Sequence, residues 1–172
     1  HTRLQGDWSS DVCSSDLYPP LGGGGGVINH LLAEELAKKH EITVLTSHGP
    51  GLAPESREGG VRVIRVPVYF RSQEAVANFP SMFVYMAMGA QYGRKIFKEF
   101  HFDVINTHFA LPTGPVGDGL ARALRIPNIL TVHGGDLYDP SKWSSPHRHF
   151  FLRRSEEHTS ELQSPCNLVC RL

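Results

Sequence analysis

A run of five glycines, residues 22–26, stands directly before a segment whose apolar residues recur at helical spacing. Glycine N–H groups can approach an anion closely because no side chain intervenes, and a helix N-terminus favours negative charge. A phosphate or pyrophosphate is the ligand that fits this arrangement. A flexible turn without a ligand is the alternative, because a glycine run alone is a weak motif.

Two histidines stand near the ends of apolar segments that read as strands. His108 lies in NTHF, and His133 lies in TVHGGD, followed by Gly134 and Asp136. A neutral histidine accepts or donates a hydrogen bond, and a charged one stabilises developing negative charge. A structural hydrogen bond is the alternative for each histidine. Asp136 either binds a ligand or caps the next turn.

Familiar nucleotide-binding motifs and metal-ligand spacings are missing from the sequence. No G-K-[ST] follows the glycines, which excludes a Walker loop. The second strand ends Leu45-Thr46-Ser47-His48, without the carboxylate that an NAD-binding fold uses for the ribose. The other histidines lack metal-ligand spacing, so no metal is expected.

The elements that would position these groups alternate along the chain. Apolar periodicity predicts helices at residues 27–40, 79–100 and 113–125, the last with Thr113 as N-cap, and a further helix starting within residues 143–152. Short β-branched runs predict strands at residues 41–46, 61–68, 103–109 and 128–134, with a loop at 48–60. This order predicts an α/β fold with a doubly wound, mostly parallel sheet. Ligands of such sheets bind beyond the carboxyl ends of the strands.

Three local expectations accompany this assignment. The helix at 27–40 should pack through Val27, Leu31 and Leu36, and the strand at 61–68 should lie near the sheet edge because it meets Pro67. The uncharged residues 78–93 fall short of the ~20 that span a bilayer. They form either an amphipathic or buried helix, or a membrane-facing or lipid-acceptor surface.

The two ends of the chain are related to each other through DNA. A DNA that encodes residues 154–164 (RSEEHTSELQS) has a reverse complement that encodes residues 7–17 (DWSSDVCSSDL). Such complementarity is implausible by chance, and the DNA resembles a ligated short-read sequencing adapter. We therefore predict adapter-derived tails at residues 1–17 and 153–172, with a natural domain at residues 18–152. Natural Ser-rich disordered tails are the alternative.

The predicted tails change how composition and fold are read. All three cysteines lie in them, so cysteine indicates neither a metal site nor a compartment. The chain has 17 basic and 17 acidic residues; if Arg153 is counted with the natural domain, the tails hold 3 and 6, which leaves 14 and 11, too small an excess to predict nucleic-acid binding. The buried strand expected before the glycines is predicted to be missing, because Ser and Asp are poor strand formers. The tail should be drawn into that gap as a poor substitute.

Residues 18–46 (YPPLGGGGGVINHLLAEELAKKHEITVLT) resemble the opening of the N-terminal domain of GT-B glycosyltransferases of the family-4 type. Residues 102–138 resemble the second half of that domain. The resemblance implies half of an enzyme with two Rossmann-like domains. The N-terminal domain mainly holds the acceptor and the C-terminal domain the nucleotide-sugar. Sugar transfer takes place in the cleft between them, generally with retention of configuration and without a metal or other cofactor.

The resemblance also implies roles for residues and partners. The glycines would approach the donor phosphates, His133 would be the catalytic residue that contacts the donor sugar, and His108 would line the acceptor cleft; the donor-binding set is Gly23, Gly24, Gly25, Gly26, Gly134 and Asp136. Five glycines fit the family pattern in several registers, so the glycine that touches ligand stays open.

The expected partners are a nucleotide-sugar donor and a sugar, lipid or small-molecule acceptor, at a cytoplasmic location with possible contact at a membrane face. The fragment should be inert alone, because the family's donor-binding groups lie in the other domain. A non-catalytic sugar- or phosphate-binding module of flavodoxin-like fold is the alternative function.

Overall fold

The computed structural model describes residues 10–69 and 79–134, and the backbone of residues 160–164 and 167–171. Three helices are described: α1 (Gly24–Ala37), α2 (Phe79–Glu99) and α3 (Thr113–Leu124). The strands are β1 (Ser10–Ser14), β2 (Glu41–Ser47), β3 (Glu55–Glu58), β4 (Val61–Val66), β5 (Val104–His108), β6 (Asn128–Val132), β7 (Ser160–Ser164) and β8 (Asn167–Arg171). The helix predicted to start within residues 143–152 lies outside the described residues.

The described strands form one sheet in the order β3-β4-β2-β1-β5-β6-β8-β7. Strands β4, β2, β1, β5 and β6 are parallel to one another, and β3, β8 and β7 add antiparallel pairs at the two edges. Separate apolar clusters cover the two faces, one involving α1 and the other α2 and α3. This confirms the predicted doubly wound, mostly parallel α/β fold.

The centre of the sheet holds the segment that was expected to be drawn into the gap of the missing first strand. Ser10–Ser14, from the segment predicted to be an adapter-derived tail, pairs in parallel with β2 on one side and β5 on the other. Backbone pairing explains this, because β2 and β5 would otherwise leave a column of ladder groups unpaired. Hydrogen bonds between backbones do not require a particular side chain, so a Ser- and Asp-rich segment can fill the position.

The side chains of β1 nevertheless suit a buried strand poorly. Val12 and Cys13 join the two apolar clusters. Asp11 does not: its Oδ1 atom is buried and has no hydrogen-bond partner among the described residues. Burial raises the pKa of Asp11 to about 7, and the backbone N–H of Val12 opposes the shift only in part. The poor substitute expected from the composition is therefore visible as a half-buried carboxyl group with one buried oxygen that has no partner among the described residues.

Helix α1 packs only in part through the face that the sequence predicted: Leu36 packs against the apolar cluster, whereas Val27 and Leu31 do not. It rests on the sheet through Gly26, Asn29 and Ala33, while Val27 and Leu31 are 48% and 59% exposed. Gly26 packs tightly against the segment between β1 and α1, since a Cβ on it would lie 3.2 Å from the carbonyl oxygen of Leu21.

The loop predicted at residues 48–60 contains a strand. Glu55–Glu58 pairs antiparallel with β4 through a two-residue turn, Gly59 and Gly60, with φ of 55° and 86°. Strand β4 is consequently one position in from the sheet edge. Its buried Arg65 donates to Ser56 and Glu58, both at 2.6 Å, and so ties the polar β3 to the sheet.

Helices α2 and α3 pack together on the face opposite α1. In α2 the two glycines Gly89 and Gly93 meet Val116 and Leu120 of α3, and a Cβ on Gly93 would come within 2.4 Å of the Leu120 side chain. The described part of residues 78–93 is thus an amphipathic helix with one buried face, as the first alternative predicted. Neither α2 nor any other described helix is long and apolar enough to cross a membrane.

Asp11→Asn is expected to change how stability depends on pH. The folded-state pKa of about 7 lies above the unfolded value of about 3.9, so the native state binds this proton more tightly. The associated stability is full below about pH 4 and is lost as pH rises toward about 7, roughly 2–4 kcal/mol in all. Chemical denaturation at several pH values should show this loss in the parent chain and not in D11N. Parallel pH profiles for the two chains would contradict the assignment.

Candidate functional site

The glycine run forms the first turn of α1 rather than a loop before it. The helix begins at Gly24, with Gly23 as N-cap, three residues earlier than predicted. The N–H of Gly26 donates to the carbonyl of Gly23 at 3.0 Å. The N–H groups of Gly24 and Gly25 precede the first intrahelical donors and have no partner within the helix. They are therefore the groups that an anion at this helix end would meet.

The glycines differ in what surrounds them. A Cβ on Gly23 or Gly24 would meet open space, whereas one on Gly25 would lie 2.5 Å from Cζ of Phe109 and 3.4 Å from Cγ of His133. Only a glycine at position 25 allows the start of α1 to touch these two rings. Among the described residues, Gly25 thus joins the helix N-terminus to the carboxyl ends of β5 and β6.

The two predicted histidines are direct neighbours. His108 is the last residue of β5, and His133 follows β6, the next strand in the sheet. Nδ1 of His108 lies 3.1 Å from Nε2 of His133, and the rings are stacked with centroids 5.3 Å apart. Both are buried, with His108 completely shielded. Because parallel strands end at the same sheet edge, the fold brings together residues that are 25 apart in the chain.

Burial controls the charge of His108. Desolvation lowers its pKa to about 3, and repulsion from His133 adds to the effect. His108 is therefore neutral at physiological pH. Its Nε2 atom is buried and has no hydrogen-bond partner among the described residues. His108 has no exposed surface in the described part of the chain, and the expectation that it lines the acceptor cleft stays a prediction.

Phe109 is a site residue that the sequence did not indicate. Its ring lies 4.4 Å from that of His133, tilted by 37°, and its backbone has φ of 73°, which is uncommon for a bulky residue. Its N–H donates to the carbonyl of Thr131 at 2.9 Å, which holds the strained residue in place. Backbone strain of this kind gathers at functional sites and has no signature in an amino-acid pattern.

Of the other predicted residues, the structure describes Gly134 and Thr113 but not Asp136. Gly134 is half-buried beside His133 at the end of the described segment, while Asp136 lies outside the described residues. Thr113 begins α3 but does not cap it, since Pro112 is the N-cap. The Thr113 hydroxyl instead accepts from the N–H of Asp16 at 3.3 Å and so anchors the segment that follows β1.

The described part of the chain contains no cluster of potential metal ligands. No three His, Cys, Asp or Glu side chains come together there in a way that could hold an ion. The expectation that the reaction needs no metal or other cofactor remains a prediction.

Comparison with known proteins identifies the class to which this fold and site belong. The model of the glycosyl transferase 4-like domain matches residues 23–167, most of the chain. The chain therefore belongs to the glycosyl transferase 4-like family, as the resemblance predicted. An uncharacterised glycosyltransferase of Methanocaldococcus jannaschii is 40% identical over 52 residues, which are 30% of this chain and 15% of that protein.

Solved structures agree on the fold. Sucrose-phosphate synthase from Thermosynechococcus elongatus superposes with a TM-score of 0.60 at 13% identity, over 85% of this chain and 39% of that one. A shorter chain of the same synthase gives a TM-score of 0.55 at 16% identity, over 85% of this chain and 82% of that one. The chain thus spans well under half the length of the M. jannaschii relative and of the first synthase structure.

Gly25→Ala should destabilise the protein, and Gly24→Ala should not. The added Cβ at position 25 must displace Phe109 and His133, an overpacking that costs about 1–3 kcal/mol. The same methyl group at position 24 meets open space and removes glycine's helix penalty, a gain of up to about 1 kcal/mol. Thermal or chemical unfolding of the two variants measures the difference. Equal stabilities would show that position 25 is not a tight contact.

Proposed function

We propose that this chain is the acceptor-side domain of a glycosyltransferase that transfers a sugar from a nucleotide-sugar to an acceptor, with retention of configuration. One observation carries the proposal: the glycine-rich N-terminus of α1 touches the buried His133 through Gly25. A phosphate group at the helix end and a sugar at the histidine would then be neighbours. The family membership supplies the reaction type.

The physical demands of glycosyl transfer fit this arrangement. The leaving group is a nucleoside diphosphate, so preorganised N–H dipoles lower the barrier where negative charge develops. The N–H groups of Gly24 and Gly25, at the positive end of α1, are suited to this charge. In the proposal, Gly23, Gly26, Gly134 and Asp136 complete the donor-contacting set.

The proposed partners follow from the same reaction. A nucleotide-sugar is the donor, and a sugar, lipid or small molecule is the acceptor, bound on the side of the cleft that this domain supplies. We place the enzyme in the cytoplasm, with contact at a membrane face if the acceptor is a lipid. The single domain should not catalyse transfer, because half of the positioning groups would be missing.

The chain should bind a nucleotide-sugar weakly without turning it over. Titration with uridine diphosphate glucose, a representative donor, should shift the amide NMR signals of Gly24 and Gly25 with a Kd of about 1 mM or weaker, an affinity of roughly 4 kcal/mol. Release of uridine diphosphate should not exceed that in buffer. Glucose alone serves as the control and should leave both glycine signals in place.

Two results would count against the proposal. Clear turnover by this chain would contradict the requirement for a second domain. Shifts confined to the opposite edge of the sheet, around Arg57 and Phe100, would place the phosphate elsewhere.

The proposed tails are tested at the gene. Long reads outward from the codons of Tyr18 and Leu152 in the source DNA should reveal an apolar strand upstream and a second Rossmann-like domain downstream. The apolar strand would replace Asp11 and its neighbours at the centre of the sheet. Ser-rich ends encoded in the genome would refute the adapter interpretation and make a free-standing binding module the leading function.

A further inference from the structure

A cavity of about 750 Å³ lies at the edge of the sheet where the parallel strands begin, here called the amino edge. Its walls come from the end of α1, the segment after α2, the β3–β4 hairpin and the starts of β1 and β2. Among the described residues that form the walls, Ser10 alone belongs to the predicted tails. The histidine pair lies at the opposite edge, and β2, whose 7 residues rise ~3.3 Å each, separates the two edges by about 20 Å.

Phe100 presents an aromatic ring to this cavity. The ring is 41% exposed, and the guanidinium of Arg62 lies over it, with Cζ 4.3 Å from the ring centre. Nε of Arg62 also donates to Oε1 of Glu55 at 2.6 Å. Arg62 therefore connects the ring to a carboxylate and holds both in place, which reduces the ordering that binding a ligand would require.

Positive and negative side chains occur together in the walls. Arg57 stands directly opposite Arg62 in the β3–β4 pairing, and the carboxylate of Glu55 interacts with both guanidiniums. The hydrogen bond from Arg62 holds the pKa of Glu55 below its usual value, so this carboxylate is charged at neutral pH. Glu41 supplies a second acid. Two arginines and two glutamates balance each other, which argues against a strongly charged ligand.

The hydrogen-bonding groups of the walls match a ligand that is rich in hydroxyl groups. A guanidinium only donates, a carboxylate only accepts, and an imidazole can do either. The walls offer all three kinds, since His40 and His101 join Arg57 and Glu41. A hydroxyl group both donates and accepts, so a polyol can use each kind, whereas an anion would be repelled by the carboxylates. A sugar adds C–H groups, whose positive polarisation suits the negative face of the Phe100 ring.

We propose that this cavity is a second carbohydrate site, which binds a neutral oligosaccharide through the ring of Phe100 and the polar groups around it. Because the length of β2 separates it from the glycines and the histidine pair, it holds sugar without taking part in sugar transfer. The assignment depends on the cavity alone and not on the function proposed above. It gives the amino edge of the sheet a role that the sequence did not indicate.

Titration with neutral trisaccharides tests the proposal on the whole chain. Maltotriose, cellotriose, mannotriose and triacetylchitotriose are the probes, and glycerol at the same hydroxyl concentration is the control. At least one trisaccharide should shift the amide NMR signals of Arg57, Phe100 and His101 with a Kd of about 1 mM. Glycerol should leave these signals in place. The absence of such shifts with every one of the trisaccharides would overturn the proposal.

Substitutions of two exposed phenylalanines separate the ring contact from general effects on the surface. Phe100→Ala should weaken trisaccharide binding about tenfold, because the aromatic contact is lost. Phe100→Tyr keeps an aromatic ring and should bind as the parent chain does. Phe83→Ala is the matched control, since Phe83 is 60% exposed on α2 and lies outside the walls of the cavity. Equal weakening in Phe100→Ala and Phe83→Ala, or unchanged binding in Phe100→Ala, would contradict the assignment.

Glu55→Gln distinguishes a sugar from an anion. The Glu55 side chain is exposed, and an amide in its place removes the negative charge with little change in shape. A sugar loses a charged acceptor and should bind more weakly, whereas an anion escapes repulsion and should bind more tightly. Inorganic phosphate that shifts the same signals and binds more tightly to Glu55→Gln than to the parent chain would refute the proposal. The parent chain and Glu55→Gln decide the question if Phe100→Ala does not fold.

These outcomes are separate from those of the donor titration, whose readout is at Gly24 and Gly25. If a trisaccharide shifts Phe100 and His101 while uridine diphosphate glucose leaves both glycines unaffected, the proposed function fails and the second site stands. If uridine diphosphate glucose shifts the glycines while no trisaccharide shifts Phe100 and His101, the second site fails and the function stands.

Discussion

Parallel backbone pairing at the centre of the sheet is the constraint on which the rest of the structure depends. Strands β2 and β5 lead to opposite halves of the fold, and both use β1 as their common neighbour. Any chain that sits between them satisfies two ladders at once, which explains why Ser10–Ser14 is found there despite its composition. The cost appears in the side chains, where Asp11 is a half-buried carboxyl group without a partner among the described residues for one of its oxygens.

The candidate site is built on this arrangement. The segment after β1 leads into α1, and β5 and β6 deliver His108 and His133 at the same edge of the sheet. Gly25 lets the start of α1 contact the rings of Phe109 and His133, because glycine has no side chain. The site is therefore a junction of three elements whose relative positions are determined by strand order. Its chemistry combines a helix N-terminus with two buried imidazoles, of which His108 is neutral because burial lowers its pKa.

Several features could be predicted from sequence because they depend on local pattern. The β-branched runs of β2, β5 and β6 and the long amphipathic α2 appear close to where periodicity places them. Strand β3 was missed because ESRE has no apolar alternation; it pairs through its backbone and through Arg65. The packing face of α1 was predicted only in part: Leu36 packs against the apolar cluster but Val27 and Leu31 are exposed, because helical spacing of large residues does not show which of them meets the sheet.

The sequence by itself determined the fold class and the family, and it identified His108 and His133 as candidate site residues. It could do so because the alternation of strands with helices and the spacing of the motifs are local properties of the chain. Only the tertiary structure decided that His108 binds His133, that Gly25 is the glycine in contact with the rings, and that Phe109 joins them. The physical reason is that these contacts link residues far apart in the chain. Their distances depend on sheet order and on close packing, which no short pattern encodes.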